Sequence, residues 1–65
     1  MAKYLYIANK CKIPSEIDTE VSNVFESLEA CESEGKLLLK KGFDVILIVR
    51  ITSYGEGEII KSEYR

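Results

Sequence analysis

The sequence predicts a single α+β domain: a small antiparallel sheet of three to four strands with one main helix packed on one face. Three observations carry this. The run Phe43-Asp44-Val45-Ile46-Leu47-Ile48-Val49-Arg50-Ile51-Thr52 is β-branched and apolar on both alternating sets of positions, as in a central strand. The stretch from Leu28 to Lys41 carries apolar residues at helical spacing and ends in Lys40-Lys41-Gly42-Phe43. A third run, from Lys3 to Lys12, is rich in aromatic and branched residues and free of Gly and Pro.

The elements follow in order. In Lys3–Lys12 the odd positions carry Leu5, Ile7 and Cys11, and the even positions Tyr4, Tyr6 and Lys10, so the two sets point to opposite faces. The aliphatic odd set is assigned to the core. Ile13-Pro14-Ser15-Glu16 should end the strand, since Pro cannot donate to a ladder. Residues 14–26 have two readings. Ile17, Val21, Val24, Leu28, Cys31, Gly35 and Leu38 recur at steps of four and three, which suits one long helix from Glu16 to Lys41 opened by a Ser15-x-x-Asp18 capping box. Thr19, Val21, Asn23 and Val24 are weak helix formers, however, and Ser27 supplies a second start signal. The favoured reading is therefore a strand-like or irregular segment up to Phe25 and a helix from Leu28 to Lys41.

The helix stop is the clearest local signal. Lys40 and Lys41 complement the negative end of the dipole, and Gly42 can take the left-handed conformation that lets Phe43 fold back. Leu28, Cys31, Gly35, Leu38 and Leu39 share the inward face, while Leu37 and Ala30 lie opposite. Gly35 on that face lowers helix propensity by roughly 1 kcal/mol relative to Ala, so it is expected where helix and sheet approach closely. Beyond the central strand, Ser53-Tyr54-Gly55-Glu56-Gly57 predicts a hairpin loop and Glu58 to Tyr64 an antiparallel partner. The expected core is Leu5, Ile7, Leu28, Leu38, Phe43, Val45, Leu47 and Val49.

Size and composition bound the function. A chain of 65 residues has room for one domain, 1–65, and buries only roughly 60% of its unfolded surface. Such domains lean on disulfides, metals or oligomerisation. Cys11 and Cys31 are too few for a secreted disulfide framework, and with no His there is no Cys/His zinc constellation. Met1-Ala2-Lys3 leads into a mixed run with neither a signal-peptide core nor a spanning stretch, so the expected location is the cytoplasm, with no membrane partner. There both thiols are expected to be reduced and to serve as small hydrophobes. Oligomerisation is the support left standing. Eleven acidic against nine basic residues leave a net charge of −2, which lacks the basic footprint of duplex binding.

No catalytic residue, cofactor site or metal site is assigned. Without His, acid/base work would fall to carboxylates or lysines displaced by burial, and no acidic residue sits in an apolar run. Glu29, Glu32 and Glu34 read as the solvated side of a helix N-terminal half. Gly55-Glu56-Gly57 precedes a strand and lacks the rest of a phosphate-binding fingerprint. Cys31 lies on the apolar helix face with no basic neighbour to activate it.

What remains is surplus apolar surface. If the helix covers the odd face, Tyr4, Tyr6, Ile46, Ile48 and Ile59 are left on the other, and a charge-rimmed patch of this kind marks an interaction site. The expected partner is another protein or a second copy in a homodimer. If residues 14–26 fold back across the patch, the binding surface moves to the helix, beginning with Leu37. An alternative makes Tyr4 and Tyr6 stacking platforms for single-stranded nucleic acid, with Lys10, Arg50 and Lys61 for phosphates.

At Val24-Phe25-Glu26-Ser27-Leu28-Glu29-Ala30, followed by Lys41-Gly42-Phe43 and Val45-Ile46-Leu47-Ile48, the chain resembles short phage and mobile-element proteins. In layout it is similar to small anti-CRISPR inhibitors, with a strand, one helix and a hairpin forming a curved antiparallel sheet. The resemblance covers most of the chain and rests on element order. It implies a non-catalytic protein that binds and blocks a host or defence complex in the host cytoplasm, and it carries over no functional residue.

Overall fold

The computed structural model describes residues 2–12 and 16–65, with the side chains of residues 11, 12, 16 and 17 outside that description. The expected break at Ile13-Pro14-Ser15 and the burial of Cys11 therefore lie outside the described residues. The elements are β1 (Lys3–Lys12), β2 (Glu16–Val21), α1 (Leu28–Lys40), β3 (Val45–Ile51) and β4 (Gly57–Tyr64). All neighbours pair antiparallel in the order β2-β1-β3-β4, and α1 packs on the two central strands, β1 and β3. This is the α+β class expected from the sequence.

The ambiguous segment is a strand. β2 pairs with β1 from Lys12↔Glu16 to Ile7↔Val21, so the long-helix reading is not realised. Thr19 and Val21 are β-branched and suit a pleated surface better than a helix. Past Val21 the chain leaves the ladder by degrees. Ser22 N–H donates to the Tyr6 carbonyl at 3.0 Å, and Tyr6 N–H donates to Ser22 Oγ at 2.9 Å, a hydroxyl standing in for a backbone acceptor. Tyr4 and Phe25 then exchange a pair of backbone bonds at 2.8 and 2.7 Å, which ties the entrance of α1 to the sheet.

Both helix ends follow from local chemistry. Ser27 is the N-cap, with φ −116° and ψ 129°, and its hydroxyl accepts from Ala30 N–H at 3.3 Å. At the other end Lys41 caps and Gly42 turns to φ 108°. Phe43 N–H donates to the Leu38 carbonyl at 3.1 Å and Gly42 N–H to the Leu39 carbonyl at 3.3 Å, the two bonds of a Schellman motif. The β3–β4 connection is held in the same manner. Thr52 Oγ1 accepts from Tyr54 and Glu56 N–H, and Gly55 sits at φ 81°.

The faces are exchanged relative to expectation. Among the described residues the fully buried hydrophobic cluster is Ala8, Cys31, Ile46 and Ile48, with Tyr4, Tyr6, Phe25, Leu28, Leu38, Leu39 and Phe43 packed around them. Leu28, Leu38 and Phe43 take the expected place. Leu5, Ile7, Val45 and Leu47, assigned to the helix-covered core, lie instead on the opposite face and are half-buried, and Val49 on that face is buried among its neighbours.

The reason is steric. Close seating needs small residues at the contact: Gly35 of α1 faces Ile46 and Tyr6, and Ala8 and Cys31 are fully buried in the same cluster as Ile46. A Cβ built on Gly35 would stand 2.6 Å from Ile46 Cδ1 and 3.7 Å from Tyr6 Cγ. The tyrosines flank this contact, and the Tyr6 ring stacks on Phe25 at 6.3 Å between centroids. The odd set offers no small residue at its centre.

Gly35→Ala tests this seating. Helix propensity favours Ala by about 1 kcal/mol, whereas forcing a methyl against a packed core costs about 1–3 kcal/mol. Net destabilisation of about 1 kcal/mol is expected in urea unfolding. In an Ile46→Val background, which removes the opposing methyl, Gly35→Ala should become neutral or stabilising.

Candidate functional site

The strand register sorts side chains, because residues directly opposite one another share a face. On the helix side, Tyr4 pairs with Arg50, Tyr6 with Ile48 and Ala8 with Ile46, while Glu63 and Lys61 stand beside Ile46 and Ile48 on β4. On the open side, Leu5 pairs with Val49, Ile7 with Leu47 and Asn9 with Val45, and β4 adds Ile59, Ser62 and Tyr64. Val21 of β2 sits beside Ile7, and Thr19 beside Asn9. Between Ile48 and Val49 the β3–β4 register shifts, leaving Ile60 as the extra residue of a bulge.

Charge follows the same partition. Arg50 bridges Glu58 at 2.7 Å, and Lys61 bridges both Glu32 of α1 and Glu63 at 3.2 Å, all on the helix side. Asp18, Glu20 and Lys10 occupy helix-side register positions as well. Among the described residues of the open face, Lys3 is the only Lys, Arg, Asp or Glu. Its polar pair is satisfied internally, Thr19 Oγ1 donating to Asn9 Oδ1 at 2.9 Å. A one-helix domain ordinarily turns a polar sheet face to water; here the charges ring the helix and the uncovered face is a neutral apolar layer.

The expected interaction residues divide accordingly. Ile46 and Ile48 are fully buried and Tyr4 and Tyr6 half-buried under α1, so these four form core and not a surface. Ile59 is 59% exposed on the open face, and Leu37 is 49% exposed on the outer side of α1. Burial of the tyrosines also removes the stacking platform of the nucleic-acid alternative, and Arg50 and Lys61 are engaged with carboxylates. The residues missed are Ile7, Leu47, Val21 and Tyr64. For Leu47 the signal was present: the odd set of β3 is apolar without a break, which an open face needs as much as a core does.

Other groups add no site. No cluster of three or more His, Cys, Asp or Glu able to hold a metal occurs among the described residues. No helix among them is long and apolar enough to cross a membrane. A shallow groove of about 500 Å³ between α1 and the end of β4 is lined by Lys36, Leu39, Lys40, Glu63, Tyr64 and Arg65. Arg65 there bridges Asp44 at 3.1 Å and reaches the Gly42 carbonyl. Burial, and secondarily Glu32, raises the Cys31 thiol above the ordinary range; burial, then Glu34, Glu20 and Cys31, does the same for the Tyr6 phenol. Both groups thus favour the protonated form, and Cys31 is shielded from reagents.

No protein-family model, curated protein or solved structure matches this chain.

The raised thiol and phenol set an alkaline limit. A native pKa above the unfolded one contributes stability that is complete below the unfolded value, about 8.5 for Cys and 10 for Tyr, and is lost as pH rises through the native value. The urea midpoint should fall above about pH 8.5, and Cys31→Ala should remove the thiol's part of that fall. In the native protein Cys31 should react with a thiol reagent only as fast as the chain opens.

Proposed function

We propose that this chain is a non-catalytic protein-binding module that works by docking the open face of its sheet onto a protein surface. The supporting observation is the neutral apolar layer of Leu5, Ile7, Val21, Leu47, Ile51 and Ile59, which nothing in the described chain covers. Exposed apolar layers of this extent are uncommon on proteins that act alone, and they mark interfaces. Burying such a layer contributes roughly 25 cal/mol per Å² of apolar area, and Tyr64 supplies an aromatic anchor at its edge. This mode of action is the one implied by the resemblance to small phage inhibitors, which bind and block by occupying a surface in the host cytoplasm. Turnover has no part in it.

Position-specific photo-crosslinking in living cells tests the reading. A photoreactive residue at Val21 or Ile59, both more than half exposed, should give discrete protein adducts. The same residue at Ala30, on the exposed side of α1, should give far fewer. Adducts arising from Ala30 and not from the open face would contradict the proposal.

A further inference from the structure

Resting on that reading, we infer that the occupant of the open face is a second copy of this chain, packed face to face about a twofold axis.

The first argument is area. Four strands about 4.8 Å apart and seven residues rising about 3.4 Å each give a sheet face of about 19 by 24 Å, roughly 450 Å². Two such faces close about 900 Å² of projected area, and side-chain relief raises the accessible area toward the roughly 1,200 Å² at which specific interfaces begin.

The second argument is charge. A face whose described residues carry one cation, Lys3 at its margin, and no carboxylate asks for a partner that is itself neutral and apolar. The face meets that demand. Isologous contact sets each patch against its own copy, where a strongly charged patch would repel itself and a neutral one does not. Two sheets of identical twist also pack aligned, about 30° apart, with interdigitating side chains. The bulge at Ile60 and the charged residue Lys61 on the outer edge strand β4 work against the competing edge-to-edge assembly.

Sedimentation equilibrium of the purified full chain across a wide concentration range is the test. A species of twice the 7.4 kDa chain mass is expected, dissociating on dilution. Leu47→Lys, at the centre of the face, should weaken dimerisation at least tenfold, and Leu37→Lys should leave it unchanged. Because Leu47→Lys could compromise folding, Ile59→Lys and Val21→Lys, at exposed positions, provide the same test, with circular dichroism confirming the fold. A wild-type chain that stays monomeric at millimolar concentration overturns the inference, as does a dimer dissociated by Leu37→Lys and not by the open-face variants. The crosslinking separates the two failures: a monomer whose Val21 and Ile59 adducts contain another protein loses the second copy and keeps the docking face.

Discussion

The close seating of α1 on the sheet is the constraint from which the rest follows. Gly35 brings the helix against Ile46, with Cys31 and Ala8 supplying the other small residues of the contact. A helix of thirteen residues can cover one face of a four-stranded sheet and no more. With Gly35, Cys31 and Ala8 leaving room at the contact, it seats on the face bearing the tyrosines, whose rings flank it. Every other feature of the surface is set by that choice. The ion pairs Arg50–Glu58 and Lys61 with Glu32 and Glu63 lie on the helix side. The aliphatic set of the sheet is left uncovered.

That division has an energetic consequence for so short a chain. Among the described residues four side chains are fully buried, few for a domain that must offset the ordering entropy of 65 residues. Backbone devices assist it. The Ser22 hydroxyl closes the sheet where β2 ends, the Tyr4–Phe25 bridge anchors the helix entrance, and the Schellman motif fixes its exit. Among the described residues the open face keeps Val21, Ile59 and Tyr64 exposed. An interface there would add a second apolar layer to the first across the thickness of one sheet, so that stability and association would be linked. Folding and docking would then draw on the same residues.

Much of the fold was legible in the sequence because its signals are local. Ser27 and Gly42 each dictate a backbone conformation at one position, and the glycines of the loop after β3 do the same. Thr19 and Val21 favoured a strand over the long helix for reasons confined to their own side chains. The orientation of the sheet was not legible in that way. Leu5, Ile7 and Leu47 are more aliphatic than Tyr4, Tyr6 and Ala8, and periodicity ranks faces by hydrophobicity alone. Both faces here are apolar, so that ranking had little to separate. What decides the matter is a long-range fit among Ala8, Cys31, Gly35 and Ile46, residues from three elements whose complementarity appears only once the strands are in register. The existence of an uncovered apolar face could be read from area; its identity could not.

Isotope-filtered nuclear Overhauser spectroscopy on a mixture of labelled and unlabelled chains measures the partition of the faces and its consequence together. Ile46 and Ile48 methyls should show contacts within one chain to Cys31 and Gly35, and none between chains. Ile7 and Leu47 methyls should show contacts between chains. Intermolecular contacts from Ile46 and Ile48, with Ile7 and Leu47 in contact with α1, would contradict both the seating of the helix and the interface built on it.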